Sequence, residues 1–251
     1  MSSTFKTKGI VLRSIRYGES SLVVTIFTEL FGIQTYMQNG ARVSKKGSNK
    51  AAMFQPAALL DMEVYHNELK AIHRIKENNW SFLYQHIFSD VMKNCIALYM
   101  VELLHKTLKQ PESNPELFYF CEDSFQQLDK AEAAVTANFP LFFTIHLTHF
   151  LGLRLTDDVR HLPISDDIFL DMMDGNFTHI QPTHHHYLQA EEALITAELL
   201  KTMQPGELSH IKLNQQKRRN LLYRYQEFYA LHIPDFGQMK TLKILFELLG
   251  G

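Results

Sequence analysis

Apolar and polar positions alternate with a period of two through roughly the first 77 residues, the spacing of strands that bury one face. In SLVVTIFT, Leu22, Val24 and Ile26 fall on one side and Val23, Thr25 and Phe27 on the other. In IQTYMQ, Ile33, Thr35 and Met37 oppose Gln34, Tyr36 and Gln38; in ALLDMEVYH, Leu60, Met62 and Val64 oppose Asp61 and Glu63. KGIVLRSIR and LKAIHRIK add two more β-rich segments. Turn signals at Tyr17-Gly18, Phe31-Gly32, Asn39-Gly40 and His66-Asn67 separate these runs. No interval among them holds a helix long enough for a parallel crossover, so the pattern predicts a small antiparallel sheet closed into a barrel. Five strands fit the OB type.

After Trp80 the period changes to 3.6. Ala97, Val101, Leu104 and Leu108 form one stripe ending before Pro111, and Phe139, Phe142, Phe143, His146, Leu147 and Phe150 form another ending at Gly152. Leu221, Tyr225, Phe228, Tyr229 and His232 make a third, stopped by Pro234, and Leu242, Leu245, Phe246 and Leu249 a fourth. Residues 156–187 break the pattern with Pro163, Gly175 and Pro182, and read as an irregular insertion with one short hairpin. The expected fold is α+β: an OB-type barrel over residues 1–79, then a larger helical bundle over 80–251 that carries the insertion.

The composition is that of a core-forming chain, with 45% apolar and 21% charged residues among 251. Its two cysteines, Cys95 and Cys121, exclude a disulfide scaffold and a four-cysteine zinc site, and both sit in helical patterns suited to packing. The opening MSSTFKTKGIVL lacks the apolar stretch of a signal peptide, so a reducing, cytoplasmic location is expected. Charge changes the picture more. The net charge is only −2, but residues 1–50 hold eight bases (Lys6, Lys8, Arg13, Arg16, Arg42, Lys45, Lys46 and Lys50) against Glu19 and Glu29, a balance of +6. The other 201 residues hold 17 bases and 25 acids, a balance of −8.

Segregation of this kind lets one end of a molecule attract a polyanion. The segment ARVSKKGSNKAAMFQ, residues 41–55, carries four bases and no acid, with Gly47, Ser48 and Asn49 adding backbone donors. Its cations match the closely spaced charges of a phosphate backbone, and OB barrels add ring faces for bases to stack on. Candidate nucleic-acid contacts are therefore the eight bases plus Tyr36, with Tyr17 and Phe54 also near them in sequence. Lys217, Arg218 and Arg219 form a second basic run; a solvated helix face is its first reading, and a site for an acidic, hydrophobic-ended peptide or an extension of the DNA track its second.

Catalytic signals are lacking. Lys46-Gly47-Ser48 has the wrong order for a phosphate loop, and neither a GxGxxG nor a GxSxG motif occurs. His179, His184, His185 and His186 lie near Asp171 and Asp174, but adjacent histidines diverge and suit a solvated turn better than a metal. His146 and His149 lack the glutamate of a zincin motif. The acidic pairs Asp157-Asp158 and Asp166-Asp167 suit solvated or salt-bridged roles, Asp158 beside Arg160. No catalytic residue, metal, nucleotide or other cofactor is expected.

Lys8 to Leu12, the run Tyr17-Gly18-Glu19-Ser20-Ser21 with LVVTIFTE, and Phe31-Gly32 together resemble the opening of the RecO family of bacterial recombination mediators. Asn39-Gly40-Ala41-Arg42 followed by Lys45-Lys46 is similar to that family's third-strand exit and basic loop, and PAALLDMEVY to its fourth strand. Arg219-Asn220-Leu221-Leu222 with Tyr229-Ala230-Leu231-His232 resembles its last long helix, and residues 242–249 its closing helix. The resemblance implies an OB-fold with a helical domain. It also implies binding of single- and double-stranded DNA, annealing of complementary strands, and help to RecA in replacing single-strand-binding protein. Implied partners are RecR and the acidic C-terminal tail of single-strand-binding protein. Many members carry a four-cysteine zinc module where this chain has residues 156–187; no cysteine stands there, so the zinc does not carry over. From the residues alone, an RNA-directed OB protein, a hydrolase built on the histidines and a protein-interaction scaffold stay open.

Overall fold

The structure is a computed structural model and describes residues 4–40, 50–153, 155 and 168–248. The chain divides into two compact units, Met1–Asp129 and Lys130–Gly251.

In the first unit, five strands close a barrel in the order β1-β2-β3-β5-β4: β1 (Thr4–Tyr17), β2 (Ser21–Thr28), β3 (Gly32–Gln38), β4 (Leu59–Tyr65) and β5 (His73–Phe82). This is the OB arrangement the alternation predicts. One contact departs from an antiparallel sheet: β3 and β5 pair in parallel at Tyr36↔His73 and Met37↔Arg74, which closes the barrel. Strand β5 also starts later and runs further than expected, beginning at His73 and passing Trp80. Val11, Leu22, Val24, Ile26, Tyr36, Phe54, Ala58, Leu60, Met62, Val64 and Ile75 fill the interior.

Strand β1 is long enough to serve two neighbours. Its first half pairs with β4 and its second with β2, and a bulge at Leu12 separates Val11↔Ile26 from Arg13↔Thr25. The bulge shifts the alternation by one residue: odd-numbered Val11 points inward, and odd-numbered Arg13, Ile15 and Tyr17 point outward. Helices α1 (Val91–Thr107) and α2 (Pro115–Lys130) complete the unit. Phe27, on the outer face of β2, packs on Phe118 of α2 with ring centroids 5.6 Å apart. The connection between the helices crosses the β2–β3 turn, where Ser113 donates to the Glu29 carbonyl at 3.0 Å.

That crossing makes Gly32 indispensable. It has φ +62°, and a Cβ there would lie 2.2 Å from the Glu112 carbonyl oxygen, a backbone atom that cannot swing aside. Gly32→Ala is expected to cost about 2 kcal/mol or more from left-handed strain and displaced backbone. Thermal denaturation checks this; an unchanged midpoint would show that the crossing gives way easily.

The second unit holds α3 (Ala133–Phe150), a three-stranded sheet of β6 (Phe169–Asp171), β7 (Asn176–Thr178) and β8 (Tyr187–Gln189), then α4 (Ala190–Lys201), α5 (Gln215–His232) and α6 (Lys240–Leu248). The hairpin expected in the insertion is β6–β7, turning at Gly175 with φ +72°, and β8 joins β6 on its other side. Polar contacts tie this sheet to α5. His186 meets Glu227 at 2.6 Å, Arg224 bonds the Tyr187 carbonyl and Glu227, and His232 meets the Met172 carbonyl at 2.8 Å. Asp157, Asp158, Arg160, Asp166, Asp167 and Leu249 lie outside the described residues.

Candidate nucleic-acid interface

The helices leave part of the outer face of β1, β2 and β3 uncovered. Cross-strand register sets Ile15 beside Val23 and Val23 beside Met37, with Arg13, Thr25 and Thr35 forming the next row. Tyr17 ends the β1 line and is 61% exposed, and Ile15 is 44% exposed. Tyr17 makes no ring contact, ion pair or hydrogen bond from its side chain among the described residues. A free phenol ring, a half-exposed aliphatic row and a guanidinium on one pleated face provide what a strand of nucleic acid meets on OB barrels: rings and apolar side chains for bases, cations for phosphates. Arg16 is exposed on the adjoining rim, opposite Leu22. At that rim Ser21 and Asn39 are hydrogen-bonded at 3.2 Å, and there the chain leaves β3 toward residues 41–49.

The nine candidate residues do not gather in one place. Tyr36 is fully buried in the barrel interior, so it offers no face to a base; the exposed ring is Tyr17. Phe54 is likewise a core residue. Lys6 and Lys8 stand on the β1–β4 side, opposite Glu63 and Asp61, and line a surface cavity of about 430 Å³ together with Glu29 and Glu77. The Lys8 ammonium is paired with Glu122 at 2.9 Å. Burial works against the Lys8 charge, but Glu122 and Asp61 more than offset this and hold its pKa up. These two lysines are part of a mixed-charge surface and not of the uncovered face. Arg42, Lys45 and Lys46 lie outside the described residues, and Lys50 opens the short 3₁₀ turn Lys50–Phe54.

The second basic run also disperses. Consecutive helical residues point about 100° apart, and on α5 each cation finds its own partner. Lys217 pairs with Glu191. Arg218 is half-buried, its Nε donating to Asn138 Oδ1 at 2.8 Å. Arg219 lies over Phe246 and Tyr223, 5.3 and 5.7 Å from their centroids. Arg218 alone lines a cavity, of about 310 Å³, with Ile211, Leu213 and Ala134.

The histidines pair singly. His184 meets Asp171 at 3.1 Å, and His186 meets Glu227. Among the described residues no three His, Cys, Asp or Glu side chains are placed to hold one metal ion.

Fold and site define a class of protein: an OB-barrel protein with a helical C-terminal region and a partly uncovered barrel face that carries Arg13, Ile15 and Tyr17. Comparison with known proteins narrows the class. A family profile described as recombination protein O N terminal matches residues 1–80, and one described as recombination protein O C terminal matches residues 89–241. A DNA repair protein RecO of Bacteroides fragilis is 35% identical over 246 residues, covering 97% of this chain and 98% of that protein. RecO proteins of Christiangramia forsetii and Phocaeicola vulgatus are each 31% identical over 244 residues, at 97% and 98% coverage. The chain belongs to the recombination protein O (RecO) family, a family of DNA repair and recombination proteins. No helix among the described residues is long and apolar enough to cross a membrane.

Proposed function

We propose that this chain is a non-enzymatic DNA mediator. It binds single-stranded DNA along the uncovered face of β1–β3, holds duplex DNA through the same cations, and anneals complementary strands by neutralising their mutual repulsion. In doing so it assists RecA in replacing single-strand-binding protein. The observation that carries this reading is the line Arg13–Ile15–Tyr17, exposed beside Val23 and Met37, next to the rim from which the basic segment departs. Phosphate contacts carry no sequence information, so little base specificity is expected.

Two protein partners belong to the same proposal, RecR and the acidic tail of single-strand-binding protein. Support for the tail comes from the Arg218 cavity. The terminal amines of Arg218 make no hydrogen bond among the described residues, and the apolar Ile211, Leu213 and Ala134 stand beside them. A peptide ending in an apolar residue with a free carboxylate matches that pairing.

Titrating salt against affinity tests the DNA reading. With about four to six phosphates engaged, affinity for a single-stranded oligonucleotide is expected to fall about 100-fold between 50 and 200 mM salt. Lys8→Ala should stay within about twofold of the wild type, because Glu122 already occupies that ammonium. A flat salt response would overturn the mechanism. Strong preference for a matched RNA oligonucleotide would redirect it to RNA.

A further inference from the structure

A second cavity of about 560 Å³ lies in the Met1–Asp129 unit, where the β2–β3 turn, the β4–β5 loop and the α1–α2 connection meet. An aromatic ladder lines it. Phe31 and His66 stack at 3.9 Å with an 11° interplanar angle, and His66 and His73 stack at 4.5 Å and 26°. Leu30, Ile33 and Pro111 add apolar wall, and Lys70, Lys109 and Glu68 add charge. Lys70 and Lys109 are exposed, come from different connections, and make no ion pair among the described residues.

The hydrogen bonding fixes what the ladder offers. Gln34 Nε2 donates to the Phe31 carbonyl at 2.8 Å, so Gln34 Oε1 is an acceptor, and His73 Nε2 at 3.0 Å must donate to it. His73 Nδ1 is then a lone-pair acceptor, and it is buried without a partner, as is His66 Nδ1. Burial first, then His66 and Lys70, push the His73 pKa down, which keeps the ring neutral at pH 7.

One histidine lies within electrostatic reach of both the cavity and the DNA face. His105 of α1 has its pKa lowered by burial and by three neighbouring cations, Arg13, Lys109 and Lys106. Arg13 belongs to the DNA face and Lys109 to the cavity, and Glu102 opposes their effect on His105.

We propose that this cavity receives a single unstacked nucleotide of a DNA strand whose remainder lies on the β1–β3 face. The inference rests on the DNA reading above and extends its binding site. A nucleotide combines the three features the cavity answers: a flat ring for the apolar walls, an N–H donor for the unpartnered His73 Nδ1, and a phosphate for Lys70 and Lys109. Inorganic phosphate has only the charge, and an acidic peptide ending in Phe lacks a ring that donates. A base paired and stacked in a duplex cannot enter, so the cavity favours unpaired strands and strand ends.

Photo-crosslinking of full-length protein to a single-stranded oligonucleotide carrying 5-iododeoxyuridine, read by peptide mass spectrometry, tests this. Crosslinks are expected at Tyr17 and, separately, at Phe31 or His66. The double variant Lys70→Ala, Lys109→Ala should lose the second set, keep the first, and weaken oligonucleotide binding about 5- to 10-fold. Crosslinks at Tyr17 with none at Phe31 or His66 overturn this inference and leave the DNA reading standing. Absence of both, with no oligonucleotide binding, overturns the DNA reading too. Loss of only the cavity crosslinks on adding an acidic peptide ending in Phe, at concentrations where mononucleotide does not compete, reassigns the cavity to a peptide and overturns the inference.

Discussion

Asp129→Ala is expected to destabilise the Met1–Asp129 unit by about 3–5 kcal/mol, a large part of a domain's usual margin. Asp129 is 1% exposed, near the end of α2. Its carboxylate accepts the backbone N–H groups of Gln85 at 2.9 Å and of His86 and Ile87 at 2.8 Å each, in the link between β5 and α1. Its carbonyl accepts the buried Lys93 ammonium of α1 at 2.7 Å. Alanine removes the shared acceptor of three backbone donors, that of the fully buried Ile87 among them, and Asp129→Asn should be intermediate, since one acceptor oxygen survives. Trp80, the sole tryptophan, packs against the barrel core and reports this unit by fluorescence during denaturant unfolding. A loss below about 1 kcal/mol would show that the link finds other acceptors. The pH dependence follows from the same bonds. Burial pushes the Asp129 pKa up, but the backbone donors and His86 more than offset it, so the net shift is downward. A depressed carboxylate pKa contributes stability above the unfolded value of about 4 and loses it as pH falls through the folded value. The gap between wild type and Asp129→Ala should therefore be full at pH 6 and narrow below pH 4.

Asp129 also shows why parts of the fold were hard to read from the residues. The barrel strands announce themselves because their inward lines are aliphatic: Leu22, Val24 and Ile26 in β2, Leu60, Met62 and Val64 in β4. Helix α2 has an apolar line in Leu117, Cys121, Phe125 and Leu128, but it also buries Glu122 and Asp129, held by the Lys8 ammonium and by backbone donors that sequence spacing does not reveal. Strand β3 misleads for a related reason. Ile33 and Met37 look like its core side, yet Tyr36 goes inward, opposite Val24, because Gln34 and Gln38 fall near the ends of a short strand. The bulge at Leu12 then hides which β1 residues share a face, and the change of partner from β4 to β2 sends Lys6 and Lys8 to an acidic neighbourhood and Arg13 to the uncovered one. The barrel and the turns between its strands were legible. The ring that faces solvent, and the His66–His73 ladder assembled from a loop and a strand start, needed the register.

The two tyrosines of the barrel are expected to respond to truncation in opposite ways. Tyr17→Ala should weaken single-stranded DNA binding about 10- to 100-fold, the loss typical of one base-stacking ring. It should shift stability by no more than about 0.5 kcal/mol, because the 61%-exposed side chain holds no partner in the fold. Tyr36→Ala should instead cost about 3–5 kcal/mol of stability, the penalty for emptying an aromatic site in a closed core. Fluorescence anisotropy with a labelled oligonucleotide and denaturant unfolding, run on both variants, separate the two effects. Tyr17→Phe sharpens the comparison: stacking uses the ring and not the hydroxyl, so affinity should stay within about threefold of the wild type. Wild-type affinity in Tyr17→Ala would remove the uncovered face from the DNA site and leave the basic segment after β3 to carry binding by charge. In that case the salt response would persist while the preference for unpaired strands disappeared, since phosphates are common to single strands and duplexes and exposed bases are not.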